Sequence, residues 1–363
     1  MKKTLLAVIA MAAVAVCASA QTPKGVNYKF TEASELNLIG KVIDTPNPYH
    51  RVDTCVFKGF TKSENDQVRC SAGLAVLFKT NSTSIAVESE YGYKNYGVNT
   101  MPLALRGYDL YIKKDGKWLW AASKVNWPGK ENDRLVIASD MDNEEKECML
   151  YLPMYSEMYS VKVGVEEGAS LESLESPFRH RVAIFGSSYT QGISISRSGM
   201  SYPMQFMRNT GVQMLSLGCS GNCKLQPYFA DVLIAADVDA IVFDAFSNPD
   251  ARMINERLFP FIEKIRAAKP DTPLIFMQTI YRENRNFSTV SDRNEQAKQD
   301  MAAKLMAEAV KKYKNVYFIQ TNATAPDHET SVDGVHPSDY GYTLWAKSIE
   351  KPLLKILKKH GLK

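Results

Sequence analysis

The stretch "RVAIFGSSYTQGIS", residues 181–194, decides how the second half of the chain is read. Arg181 to Phe185 suits a buried strand, and at Gly186 it breaks into a sharp turn of hydroxyls that runs to Gly192. In an open α/β sheet the carboxyl ends of the strands are where ligands bind, so a turn of this kind stands where chemistry is expected. On these residues alone two readings stay open: a turn that presents a nucleophilic serine, or a polar turn and nothing more.

The same pattern repeats toward the C-terminus. Strand-like runs "VQMLSLG" (212–218), "DAIVFDAF" (239–246), "PLIFMQTIY" (273–281) and "VYFIQT" (316–321) alternate with helical stretches near 202–209, 225–235, 252–268, 292–312 and 339–358. Strands joined by helical crossovers predict a parallel sheet covered on both faces, an α/β domain. Toward the N-terminus, from about Ile43 to Val165, the segments are short, alternating and divided by turns: "CVFKGF", "AGLAVLFKT", "SIAVESEY", "YDLYIKKDGKWLWAA", "RLVIAS", "CMLYLPM" and "YSVKVGV". Lys114 to Lys117 reads as a hairpin turn, and the whole as a β-sandwich or jelly roll. "EEGASLESLESPFRH", 166–180, is polar and reads as a linker. The expected organisation is a signal peptide at 1–20, a β-sandwich domain at 21–170 and an α/β domain at 171–363.

The signal is read from Lys2 and Lys3, the apolar run Leu5 to Val16, and the small residues Ala18, Ser19 and Ala20 before Gln21. Cys17 raises the alternative of a lipoprotein, although Val16 is not the small residue that such processing prefers. The expected compartment is therefore outside the cytoplasm, periplasmic or secreted. No later apolar run approaches the roughly 18 residues of a membrane span. Net charge is only +4, and no Lys/Arg stripe is interleaved with aromatics, so nucleic acid is not an expected partner. Of the six cysteines, Cys17 would leave with the signal, and the odd remainder implies a free or intermolecular thiol.

A serine nucleophile needs a base within hydrogen-bond reach and a group that orients the base. Among the five histidines only His336 stands in a strongly punctuated context, "SVDGVHPSDYGY", with Asp333 three residues before it. A carboxylate at that spacing in a tight loop can reach Nδ1 and leave Nε2 toward a serine, which would join Ser188, His336 and Asp333. Gly221 in "LSLGCSGNCKL" either offers its N–H to an oxyanion or simply ends a strand, and Asn248 in "VFDAFSNPD" is either a second donor or the N-cap of the next helix. Asp327, His328, Glu329, Asp333 and His336 cluster, but without a recognisable metal-ligand spacing.

Together these stretches resemble the SGNH or GDSL hydrolase superfamily: Gly186, Ser187, Ser188 and Gly192 match its first block, Gly221 its second, Asn248 its third, and Asp333 with His336 its last. "NTMPLALRGYDLYIKKDGKWLWAA" is similar to the β-sandwich domain that precedes a bacterial subgroup of these hydrolases. The resemblance implies a three-layer αβα, flavodoxin-like hydrolase domain. It also implies Ser188 as nucleophile, His336 as base, Asp333 as its orienter, and an oxyanion hole of Ser188 N–H, Gly221 and Asn248, with no cofactor or metal. Ser187 departs from the family's aspartate, and Phe246 and Pro249 depart from its usual third block.

The expected function is an exported serine esterase that removes short acyl groups, acetyl above all, from a small-molecule or glycan ester. The alternatives are a longer-chain esterase or lipase, and a glycan-binding protein whose hydrolase domain is a relic. Cys219 and Cys223 are either a small disulfide stiffening the turn at Gly221 or two buried thiols. Trp118, Trp120 and Trp127 either line a sugar-stacking face or belong to the core, and 281–296 is expected as a polar loop beside the site.

Overall fold

The computed structural model describes residues 25–321 and 328–362, so the expected signal with Cys17 lies outside the described residues, as does Asp327. The N-terminal region is built from β1 (Tyr28–Glu32), β2 (Asn37–Ile39), β3 (Ala75–Thr80), β4 (Ile85–Lys94), β5 (Tyr108–Lys114), β6 (Lys117–Lys124), β7 (Leu135–Ala138), β8 (Lys146–Tyr151), β9 (Ser156–Glu166) and β10 (Leu171–Ser173). One antiparallel sheet has the order β1-β9-β4-β7, the other β10-β3-β8-β5-β6 with β2 beside β3. The β5–β6 hairpin closes on a two-residue loop in which Asp115 (φ 51°) and Gly116 (φ 75°) are both left-handed, the primed turn whose twist matches that of the strands.

Two segments differ from expectation. "CVFKGF" is not a strand, because the Asp53 carbonyl accepts the N–H groups of Val56 and Phe57 and folds the chain into a turn. Just after it comes a short helix, α1 (Lys62–Val68), started by a reciprocal cap: Thr61 Oγ1 accepts Glu64 N–H, and the Glu64 carboxylate accepts Thr61 N–H at 2.7 Å. A second short helix, α2 (Pro102–Leu105), leads into β5. The polar stretch expected as a linker carries β10, which pairs with β3.

The C-terminal region alternates as its pattern predicts: β11 (Arg179–Gly186), α3 (Ser188–Gln191), α4 (Tyr202–Thr210), β12 (Val212–Gly218), α5 (Pro227–Ala235), β13 (Ala240–Asp244), α6 (Ala251–Ala268), β14 (Leu274–Met277), α7 (Thr289–Lys312), β15 (Val316–Ile319) and α8 (Asp339–Lys359). All five strands are parallel, in the order β12-β11-β13-β14-β15. In β11, Val182 and Ile184 face one apolar core while Ala183 and Phe185 face the other, the period-two division of a strand covered on both sides.

The same division explains how the two regions meet. In β3 and β8, Val76, Phe78, Cys148 and Leu150 fill the sandwich, while Ala75, Leu77, Met149 and Tyr151 turn outward into a core shared with Tyr202, Met204 and Phe206 of α4. Polar ties reinforce it. Asp109 of β5, fully buried, accepts Gly199 N–H at 2.7 Å and pairs with Arg197 at 3.1 Å. Arg51, also fully buried, donates to the carbonyls of Gln67 and Cys70 and to those of Ser216 and Gly218 on β12, an edge strand whose outward carbonyls have no neighbouring strand.

Candidate active site

The turn after β11 depends on the glycine that ends the strand. A Cβ on Gly186 would lie 1.9 Å from Thr190 Oγ1, so only glycine lets α3 fold back this tightly. Ser187 caps α3, its Oγ accepting Tyr189 N–H. Ser188 is the first helical residue, a position whose N–H has no partner within the helix.

The last loop before α8 meets this turn. His336 Nε2 lies 3.0 Å from Ser188 Oγ, and Nδ1 lies 2.9 Å from Asp333 Oδ2. Asp333 Oδ1 accepts the N–H groups of Val335 (3.0 Å) and His336 (2.8 Å), which is why a three-residue spacing delivers the carboxylate to the ring. With Nδ1 donating to the carboxylate, Nε2 is left to accept the serine proton. Burial alone would raise the Asp333 carboxyl, but the His336 ring and the His336 backbone, with Asn99 and Val335, hold it well below the usual carboxylate range. Tyr189 sets its ring edge against the imidazole and donates its hydroxyl to Val335 O at 2.9 Å, while Arg282 Nε donates to that hydroxyl at 2.9 Å.

Glu283 anchors the loop. Its Oε1 accepts Thr330 N–H (2.8 Å) and Oγ1 (2.6 Å), and its Oε2 accepts Ser331 N–H (3.1 Å) and Oγ (2.5 Å). Asn284 N–H donates to Gly334 O at 2.8 Å beside it. Residues 281–296 are thus not an open loop: they hold a 3-10 turn at Glu283–Asn286 and the first turns of α7.

Gly221 sits in the turn after β12 at φ +71°, a left-handed conformation that suits glycine. Its N–H has no hydrogen-bond partner among the described residues. The turn is pinned to the Ser188 segment by Cys219 N–H to Gly186 O (2.8 Å) and Ser220 N–H to Gln191 Oε1 (2.9 Å). Asn248 Oδ1 accepts Cys223 N–H at 3.2 Å, which commits the oxygen and leaves the amide NH₂ as the outward donor. It does not cap the following helix; Asp250 does, accepting Met253 N–H at 2.7 Å. The five residues singled out from sequence are therefore brought to one corner, with three hydrogen-bonded in series and two on turns pinned beside them.

The open readings of the cysteines and tryptophans are decided by their surroundings. Cys219 and Cys223 are free, buried thiols, not a disulfide, and burial pushes Cys219 up to about 12. Trp118 stacks on Phe178 and Arg197 covers Trp120, while Trp127 is 81% exposed, so the three do not form a common stacking face. Among the described residues no cluster of His, Cys, Asp or Glu is arranged to hold a metal ion.

Asp244 was not legible in advance. It pairs in register with Gly186, lies fully buried beneath the turn, and accepts the hydroxyls of Ser187 (3.2 Å), Thr190 (2.9 Å) and Ser247 (3.3 Å). Burial raises it to about 6 against the pull of those hydroxyls. The neighbouring strand thus sets a buried carboxyl against the Ser187 hydroxyl. A cleft of about 410 Å³ opens between the two regions beside Ser220, lined by Gln67, Tyr93, Asn95, Tyr155 and Ile193. A second, of about 570 Å³, lies at Ser247 and Asn248 against Arg282, Glu295 and Lys298.

The comparisons agree with this architecture. A model described as the N-terminus of Esterase_SGNH_hydro-type, GxDLY, matches residues 28–171, and one described as the GDSL-like Lipase/Acylhydrolase family matches 179–354. Among solved structures, a GDSL-like lipase from Bacteroides ovatus ATCC 8483 is 36% identical with a TM-score of 0.87, over 92% of this chain and 98% of that one. The salicylyl-acyltransferase SsfX3 from a tetracycline biosynthetic pathway (19% identity, TM-score 0.68, 91% and 98% covered) and a family two carbohydrate esterase from Cellvibrio japonicus (11%, 0.61, 92% and 98%) share the fold. No curated protein matches the chain.

Proposed function

The chain belongs to the GDSL-like lipase/acylhydrolase family and is a carboxylic ester hydrolase of the SGNH type; on that premise we propose that it is exported and removes short acyl groups, acetyl above all, from carbohydrate esters, with Ser188 as nucleophile. His336 Nε2 takes the serine proton as Oγ attacks the ester carbonyl, and Asp333 keeps the ring in the tautomer that can do so. The charge that forms on the carbonyl oxygen is met by Gly221 N–H, Asn248 NH₂ and Ser188 N–H. His336 then protonates the leaving alcohol, and water, activated by the same imidazole, releases the acid and restores the serine.

The observation that carries this reading is the unbroken series Ser188–His336–Asp333, 3.0 and 2.9 Å, with the Gly221 N–H on the adjoining turn unpaired among the described residues. A relic would have no need of it. The sugar part of the proposal draws on the cleft that sets the Tyr93 ring beside the hydrogen-bonding side chains of Asn95 and Gln67, and on the fold shared with the Cellvibrio japonicus carbohydrate esterase. The rival longer-chain reading draws on the exposed apolar Val98 and Val332, which flank Asn99 and Asp333 in sequence. Rates on acetyl, butyryl and octanoyl esters and on acetylated sugars, each with Ser188→Ala as control, separate the two. The proposal expects kcat/KM to fall with chain length and acetylated sugars to be turned over; a maximum at octanoyl with no turnover of acetylated sugars would reject it.

A further inference from the structure

Beyond β4 the chain leaves the sandwich and crosses to the hydrolase domain, and at the end of that crossing Asn99 Nδ2 donates to Asp333 Oδ2 at 2.8 Å. This is the oxygen that accepts His336 Nδ1–H. The crossing is stapled where it arrives: Ser194 N–H donates to Thr100 Oγ1 at 2.8 Å, and Met101 N–H to Ile195 O at 3.4 Å. The Thr100 hydroxyl donates to Asn99 Oδ1 at 3.4 Å, which turns the amide nitrogen toward Asp333.

We infer that Asn99 is a positioning residue for the Ser188–His336–Asp333 series, so that the sandwich domain completes the active site. The inference rests on the reading of that series as the catalytic one. Asp333 Oδ1 is fixed by two N–H groups of its own loop, and Oδ2 by the imidazole and Asn99. Four donors leave the carboxylate no free rotation. Without Asn99, Oδ2 keeps one donor among the described residues, and because the Asp333 side chain is 32% exposed, water competes for the vacated lone pair. The imidazole then loses a fixed partner and its aim at Ser188 Oγ.

Among the described residues the charged groups at this corner come from four places. The 3-10 turn brings Glu283 and Arg285, the latter paired with Asp292, and Arg282 just precedes it; α8 brings Asp339, the foot of the last loop brings His328 and Glu329, and Asp244 lies beneath the turn. The crossing carries no charged residue between Lys94 and Arg106.

Asn99→Ala and the near-isosteric Asn99→Asp, in the full mature protein, test this with kcat and KM on a short p-nitrophenyl ester across pH. Both are expected to lower kcat by about three- to tenfold with KM unchanged, since Asn99 acts through Asp333 rather than on substrate. In Asn99→Asp a second carboxylate favours the imidazolium, so the acidic limb of the kcat/KM profile should rise by about half a pH unit or more. Unchanged kcat in both variants, or a fall with the Asn99→Asp limb unmoved, overturns the inference. Ser188→Ala separates the premise: if that variant still turns over, the catalytic series itself is misread, whatever Asn99 does.

Discussion

Glu283→Gln isolates the contribution of a residue that touches none of the reacting groups. The glutamine keeps the shape of the side chain and one of its oxygens, but sets an NH₂ where two donors now aim, either the Thr330 pair or the Ser331 pair. The hydroxyl of that pair can turn to accept instead; the backbone N–H cannot. One stranded N–H costs about 1–3 kcal/mol, and weakening of the remaining bonds from charged to neutral acceptor brings the total to about 2–4 kcal/mol. The cost falls on the loop that carries Asp333 and His336, so kcat on a short ester should drop by about tenfold or more, because small misplacements of a base are expensive. Acid behaviour gives a second reading. Burial would raise the Glu283 carboxyl, but the Ser331 and Thr330 bonds outweigh it and its folded pKa is lowered. Its contribution is therefore present above the unfolded value of about 4.3 and lost as pH falls through the folded one. The wild type should lose this stabilisation on acidification below about pH 4.5, and the variant should lack that component. A Glu283→Gln protein with kcat within twofold of wild type and the same melting temperature would refute the reasoning.

Arg51→Met should lower stability by about 3–5 kcal/mol, read by denaturant unfolding, because it strands buried carbonyls from both regions; a loss under about 1 kcal/mol would show that they find other partners. Asp244, raised to about 6 from an unfolded value near 4, keeps its proton in the native state while the unfolded chain has lost it, so its contribution falls as pH rises from about 4 to 6, by about 3 kcal/mol. The difference in melting temperature between wild type and Asp244→Asn should change across that window, and a constant difference would count against the raised value. Asn248→Ala should reduce kcat by about 100-fold with little change in KM if its NH₂ meets the oxyanion; a near-normal kcat removes it from the site.

How much of this was legible follows from the range of the interactions. The β11–β15 alternation was readable because strands buried on both faces are runs of apolar residues, and the helices between them show their own period. Ser188, Asp333 and His336 were readable because each sits in a short turn with its own local signal. "CVFKGF" misled because an apolar run of that length takes its conformation from a carbonyl, that of Asp53, which the pattern does not weigh. Asn99, Asp244, Glu283 and Arg51 carry no local signal. Each is an ordinary polar residue until the fold sets it against a partner far along the chain, Asn99 against Asp333 most of all. The halves of the chain, expected as two domains, share one core through the outward face of β3 and β8, and the run from Leu74 to Phe78 is apolar without alternation for that reason.

The central claim is that His336 activates Ser188 as a nucleophile. It is tested most directly by mass spectrometry of the purified protein after a fluorophosphonate, in the wild type, Ser188→Ala and His336→Ala. The account predicts one adduct, on the peptide that carries Ser188, with none in Ser188→Ala and slow labelling in His336→Ala. An adduct on another residue, or Ser188 labelling at the same rate without His336, would contradict it.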